Sequence, residues 1–184
     1  DRGFQNEERG VRGVRGFVGG HPMCGKEVSG IEHADPDLFR GKPFVLCPLE
    51  RTAPRALALT HELIFVIGAH PLILDAETHD SLAATVSHLP YAVAIALVRT
   101  ALATDDEALW QMAASGFRDT TRLAASDLTM MTDILLTNRA AVLDSLSRFR
   151  AEPEALTAAI DSGDADALRA VLESAQRKRS EMFK

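Results

Sequence analysis

Apolar positions divide the chain into three stretches. Residues 1–16, DRGFQNEERGVRGVRG, carry only Phe4, Val11 and Val14. They are polar and glycine-rich, with VRG occurring twice, and little order is expected there. From Phe17 to Leu74 the apolar residues come in short runs. Phe17-Val18 ends in Gly19-Gly20, which reads as a strand running into a tight turn. Pro43 to Cys47, PFVLC, is a second strand closed by Pro48. Thr52 to Ile67 reads as a helix, with Thr52 as N-cap, Pro54 in the first turn and Gly68 as C-cap. His70 to Leu74 is a third strand, so strand, helix, strand follow one another as at the edge of an α/β sheet.

Beyond Asp75 the spacing becomes helical throughout. Asp75 can cap a helix reaching about Ser87, with Asp75 and Glu77 at its positive end. Pro90 then interrupts the pattern, and Tyr91 to Ala103, YAVAIALVRTALA, is apolar on nearly all sides. Such a helix should be deeply buried, in a body this small against a second subunit. Further helices are expected at Asp105–Ser115, Asp119–Ala125, Met130–Arg150, Pro153–Asp161 and Asp164–Arg177, with Asp119 and Asp164 as N-caps.

Composition agrees with this division. Nine of the 12 glycines lie in residues 1–50, whereas 27 of the 28 alanines follow them. Glycine suits turns and alanine suits helices, so a loop-and-strand head precedes a helical body. With 184 residues and 46% hydrophobic content, the chain can bury a core without disulfides or metals. A net charge of −6 argues against a nucleic-acid binder and against a polybasic membrane anchor. Cys24 and Cys47 are too few for a disulfide scaffold, which points to a reducing cytoplasm. No apolar run approaches the roughly 20 residues that span a bilayer, and no signal peptide is visible.

Two segments could carry chemistry. In Gly19-Gly20-His21-Pro22-Met23-Cys24-Gly25-Lys26-Glu27-Val28-Ser29-Gly30, four glycines let backbone approach a flat ligand. His21 sits just after a strand, and a neutral imidazole there can take a proton near pH 7. The competing reading is a turn with an incidental histidine. In Gly116-Phe117-Arg118-Asp119-Thr120-Thr121-Arg122, the two arginines are four apart on one helical face, an arrangement suited to a carboxylate. The competing reading is a solvated face or an ion pair. A hydrolase triad from His79, Asp80, Ser87 and His88 is rejected, because Ser87 and His88 are adjacent and no Gly-x-Ser-x-Gly elbow exists. A zinc site from His21, Cys24 and His33 lacks a fourth ligand at familiar spacing.

These segments occur in one order: GGHPMCGKEVSGIE, then Leu38-Phe39 with Gly41, His79-Asp80, Ser87-His88-Leu89-Pro90, GFRDTTR, and Asp133-Ile134 with Asn138. In that order and spacing the chain, from about Phe17 onward, resembles the C-terminal part of prephenate or arogenate dehydrogenase, the oxidoreductase of tyrosine biosynthesis. The resemblance implies a mainly helical fold: the last strands and helix of a Rossmann-like nucleotide-binding domain (17–74), then a helical dimerisation and substrate-binding domain (75–184). Residues 1–16 form a segment unlike the family. It implies a homodimer, a small-molecule substrate and NAD or NADP as cofactor. It also implies roles for single residues. His21 holds the position of the histidine that bonds the substrate ring hydroxyl, and Arg122 that of a carboxylate anchor. Glu27, Tyr91 and Ser126 line the same pocket with Arg118 at its edge, and Gly20 and Pro22 lie beside the cofactor.

The sequence departs from the family in several places. The family's Gly-x-Gly-x-x-Gly fingerprint is absent, since GVRGVRG follows no apolar strand and precedes no helix. The family's Asp-x-x-Ser-Val-Lys stretch, whose serine bonds the catalytic histidine, is absent too. The chain is therefore expected to be a fragment that does not bind dinucleotide alone. The alternative is a non-catalytic helical homodimer. Tyr91 stands where many bacterial members have a second histidine, Met131 where tryptophan is usual, and Leu128 where proline is. Cys24 replaces a small residue and is expected to pack, not react.

Overall fold

The computed structural model describes residues 16–25 and 30–182, so most of the expectation for residues 1–16, and the whole of that for Glu27, lie outside the described residues. Among the described residues the chain is mainly helical with one three-stranded sheet. Strands β1 (Gly19–Pro22), β2 (Pro43–Cys47) and β3 (His70–Ile73) lie in that order across the sheet. β1 runs antiparallel to β2, and β2 parallel to β3. The first strand begins two residues later than Phe17-Val18 suggested. The glycine pair is part of the ladder, with Gly19 opposite Cys47 and Gly20 opposite Leu46. A Cβ on Gly20 would come within 2.9 Å of the Phe44 ring, which explains a glycine in mid-strand.

β2 is apolar at every position because both faces are covered. Leu46 packs in a cluster with Ile64 and Ala69, while Val45 and Cys47 pack with Met23, Leu74 and Ala76. Ile64 belongs to helix α1 (Pro54–Val66), which connects β2 to the parallel β3. Thr52 is not its N-cap. The cap is Ala53, without a side-chain bond, and the Thr52 hydroxyl donates instead to the Phe17 carbonyl at 2.8 Å. Gly68 ends the helix at φ +73°, a conformation open to glycine.

Asp75 caps α2 (Ala76–Ala83) as expected, accepting from the Thr78 amide at 2.8 Å. The helix does not stop at Pro90. A π-helical turn, Ala84–His88, joins α2 to α3 (Leu89–Leu102), giving one continuous helical run. The wider turn accommodates proline, which has no amide hydrogen to give. By length and composition, Ala76–Leu102 is long and apolar enough to cross a membrane, which corrects the reading of the apolar runs. Its first half nevertheless carries buried His79, Asp80 and His88.

Full burial of the Tyr91 helix is not achieved within one chain. Tyr91, Ala94 and Ala101 are buried, but Leu102 is 64% exposed. α4 (Ala108–Met112) and α5 (Ser115–Thr121) follow, then a 3₁₀ turn at Arg122–Ala125 and α6 (Leu128–Thr137). Asp119 lies inside α5 and is not an N-cap, because the helix begins at Ser115. The helix expected from Met130 to Arg150 breaks at Asn138, and α7 (Arg139–Asp161) runs through Pro153 without interruption.

The chain divides into two compact units, 1–142 and 143–184. The second holds the remainder of α7 and α8 (Ala165–Met182). Gly163 at φ +66° turns the chain between them, and Asp164 caps α8 by accepting from the Asp166 and Ala167 amides.

Candidate active site

β1 delivers His21 to a cavity of about 700 Å³ in the first unit. The floor is the segment after the strand, held by the Met23 amide donating to the Pro43 carbonyl at 2.9 Å. The walls are Val86 and Ser87 of the π-helical turn, Tyr91, the 3₁₀ turn with Arg122, Leu123 and Ser126, and Met130, Met131 and Ile134 of α6. Tyr91, Met131 and Ile134 form one buried cluster, with Leu123 packed against it. Met131 thus fills apolar volume beside Tyr91.

Behind His21 lies a polar network outside the cavity lining. His21 Nδ1 and His79 Nε2 share a hydrogen bond of 2.8 Å, and the rings meet edge to face at 64°. His79 Nδ1 bonds Asp80 Oδ1 at 2.9 Å, and both residues are buried. Asn138, at the break between α6 and α7, donates from Nδ2 to the Asp80 carbonyl at 2.8 Å and to His88 Nδ1 at 3.3 Å. The π-helical turn sends neighbouring side chains opposite ways, with Ser87 at the cavity and His88 buried. Among the described residues His88 Nε2 has no hydrogen-bond partner.

Burial lowers the His21 pKa to about 4, helped by the like charge of His79 and opposed by Asp80. His88 is lowered to about 4 in the same way, by burial first and then by His21. Both rings are therefore neutral near pH 7, and a neutral His21 at a cavity wall is a proton acceptor. Desolvation raises the Cys24 thiol and pushes Cys47 up to about 11, so neither is an activated thiolate.

The structure brings His21, Pro22, Tyr91, Arg122 and Ser126 to one cavity. Arg118 does not join them. It is exposed, and its Nε donates to Asp119 Oδ1 at 3.1 Å. The helical face shared by the two arginines is broken because α5 ends at Thr121 and Arg122 opens the 3₁₀ turn. Gly20 is not a cavity-lining residue either; its missing side chain makes room for Phe44. Ser126 Oγ donates to the Leu123 carbonyl at 2.8 Å, closing the turn that carries Arg122.

A dinucleotide needs a strand, a glycine-rich turn and a free helix N-terminus to hold its pyrophosphate. Neither described strand-to-helix connection fits. The β2–α1 connection, residues 48–53, has no glycine and enters the helix at Pro54, which lacks an amide hydrogen. The β3–α2 connection is closed by the Asp75 carboxylate, itself an anion. Among the described residues no group of three or more His, Cys, Asp or Glu side chains could hold a metal ion.

Comparison with known proteins accounts for this arrangement. The family model for the prephenate dehydrogenase dimerization domain matches residues 75–174, and that for the prephenate dehydrogenase nucleotide-binding domain matches residues 5–73, so the match begins inside the segment expected to be unlike the family. The chain is 34% identical over 154 residues to the prephenate dehydrogenase of Bacillus subtilis, covering 83% of this chain and 42% of that protein. It is 33% identical over 166 residues to the cyclohexadienyl dehydrogenase of Zymomonas mobilis, covering 89% and 57%. Among solved structures, A. aeolicus prephenate dehydrogenase in complex with hydroxyphenyl propionate and NAD+ superposes with a TM-score of 0.85 at 34% identity, over 90% of this chain and 59% of that one. Synechocystis arogenate dehydrogenase gives 0.78 at 31% identity, over 91% and 62%. The chain spans less than half the length of the first two curated relatives, 42% and 46%. With both family models matched in sequence along it, and a histidine and an arginine meeting in one cavity of its first unit, the chain belongs to the prephenate dehydrogenase family.

Proposed function

We propose that the protein carrying this chain performs the oxidative decarboxylation of prephenate or arogenate, with NAD or NADP as hydride acceptor. The observation that carries this reading is the single cavity lined by both His21 and Arg122, residues far apart in sequence. His21 takes the proton of the ring hydroxyl as the carbinol carbon is oxidised. The ring ketone so formed is vinylogous to the ring carboxylate, so carbon dioxide leaves and the ring becomes aromatic, which makes the reaction irreversible. Arg122 supplies fixed positive charge for a substrate carboxylate. Tyr91 and Ser126 provide polar contacts on the same wall. The described residues offer no pyrophosphate cradle, so the steps assigned here are those of the proton and the carboxylate. Incubating the complete polypeptide with dinucleotide and each substrate should give reduced dinucleotide and carbon dioxide in equal amounts. Reduced dinucleotide without carbon dioxide would contradict the reading.

The same proposal includes a homodimer. Leu102, Leu128 and Leu136 are 64%, 70% and 66% exposed, apolar surface that a second copy would cover. The match of residues 75–174 to a dimerization domain supports this assignment. Light scattering at micromolar concentration should return twice the protomer mass, which is 19.9 kDa for this chain alone. A protomer mass would refute the dimer. The free thiols of Cys24 and Cys47 fit a reducing, cytoplasmic setting.

A further inference from the structure

His79, Asp80, Asn138 and His88 do not line the cavity, yet they form a buried polar chain that ends on His21. A carboxylate oxygen only accepts hydrogen bonds. Asp80 Oδ1 therefore fixes a hydrogen on His79 Nδ1, which leaves a lone pair on His79 Nε2. That lone pair lies 2.8 Å from His21 Nδ1, so the hydrogen of this second bond belongs to His21 Nδ1. The remaining ring lone pair of His21 is then on Nε2, the nitrogen that acts as general base. The order Asp80, His79, His21 sets the tautomer of the last ring through two bonds of 2.9 and 2.8 Å. Asn138 holds the Asp80 backbone from the far side.

We propose that His79 and Asp80 are positioning residues that hold His21 in its base tautomer and receive the proton it takes from substrate. The inference rests on the reading of His21 as base. In the step itself the substrate O–H bond breaks and an Nε2–H bond forms on His21, while the carbon-bound hydrogen leaves as hydride to a nicotinamide dinucleotide. The Nδ1–H bond of His21 then breaks and an Nε2–H bond forms on His79. His21 is left neutral, and the positive charge rests on His79 beside the Asp80 carboxylate. The chemistry favours this transfer. Desolvation makes His21 a poor resting place for a charge, with a pKa of about 4, and His79 is the ring whose other nitrogen lies 2.9 Å from the Asp80 carboxylate. A base that weak needs an onward acceptor to work near pH 7.

The test has two arms on the complete polypeptide. Ring nitrogen-15 chemical shifts of the unmodified protein near pH 7 should show hydrogen on Nδ1 of both His21 and His79. Hydrogen on His21 Nε2 instead would overturn the proposal, and this readout needs no variant to fold. The second arm is Asp80→Asn, which keeps shape and removes charge. Its turnover should fall about tenfold with KM unchanged, as for a lost orienting carboxylate. Among the described residues, the groups facing His21 are His79, Asp80 and His88 on the buried side, and Cys24, Tyr91 and Arg122 at the cavity. Asp80 is the neighbour that raises the His21 pKa, so its removal should move the acid limb of the rate profile to lower pH. That shift follows from the charge of Asp80 alone; a merely structural carboxylate would leave turnover and the His21 Nδ1 hydrogen in place. A folded Asp80→Asn protein with unchanged turnover and limb sinks the relay alone, provided His21→Asn is inactive. An active His21→Asn protein sinks the reading of His21 as base.

Discussion

Replacing His21 with asparagine is expected to lower turnover by roughly 10²- to 10⁴-fold, the range for loss of a positioned general base, while KM stays near its original value. An amide still exchanges a hydrogen bond with the ring hydroxyl, so ground-state binding survives. It cannot accept the hydroxyl proton, so the alkoxide character that drives hydride departure is lost. A fall in kcat at constant KM is the signature of an interaction made mainly in the transition state. The substitution also removes the ring that meets His79 edge to face. Circular dichroism of the variant should therefore match the parent before its kinetics are read. Steady-state rates with prephenate and arogenate provide the check. Near-normal turnover with either substrate would mean that the proton goes elsewhere.

What could be read from the sequence depended on whether a residue's partner was local. PFVLC was legible as a strand because β2 is covered on both faces and so is apolar at every position. Asp75 and Asp164 were legible as caps because each binds amides two or three residues away. Thr52 carries the same cap chemistry, but the Phe17 carbonyl, 35 residues distant, takes its hydroxyl and Ala53 caps the helix instead. Asp119 has its carboxylate turned to Arg118, inside a helix that had already started. Pro90 signals a break in any local rule, yet the π-helical turn before it lets the run continue. The site divides likewise. His21 and Arg122 sit in motifs that mark them, while the pairing of His21 with His79 spans 58 residues and has no local trace. His79 and Asp80 are set aside with the rejected triad because their partners, His21 and Asn138, arrive from other elements and leave no local mark.

Replacing Arg122 with alanine should act on KM, in contrast to His21. A guanidinium that grips a substrate carboxylate does so before and during the reaction alike, and uniform binding of this kind is lost from KM with kcat largely kept. Truncating one partner of a buried, hydrogen-bonded charge pair costs about 2–5 kcal/mol. Arg122 is exposed at the cavity rim in the unliganded protein, so solvent screening puts the expected loss at the lower end, roughly 2–3 kcal/mol or about 30- to 160-fold in KM. Arg122→Lys should recover only part of it, because an ammonium supplies charge without the planar fork. Arg118→Ala is the control. Its side chain is exposed and held by Asp119, and surface pairs of that kind contribute about 0–1 kcal/mol, so both KM and kcat should stay close to the parent values. The discriminating measurement is KM for both substrates across the three variants. Loss of affinity on Arg118→Ala with none on Arg122→Ala would place the carboxylate on α5, outside the cavity that His21 lines, and the assignment of base and anchor to one pocket would fall with it.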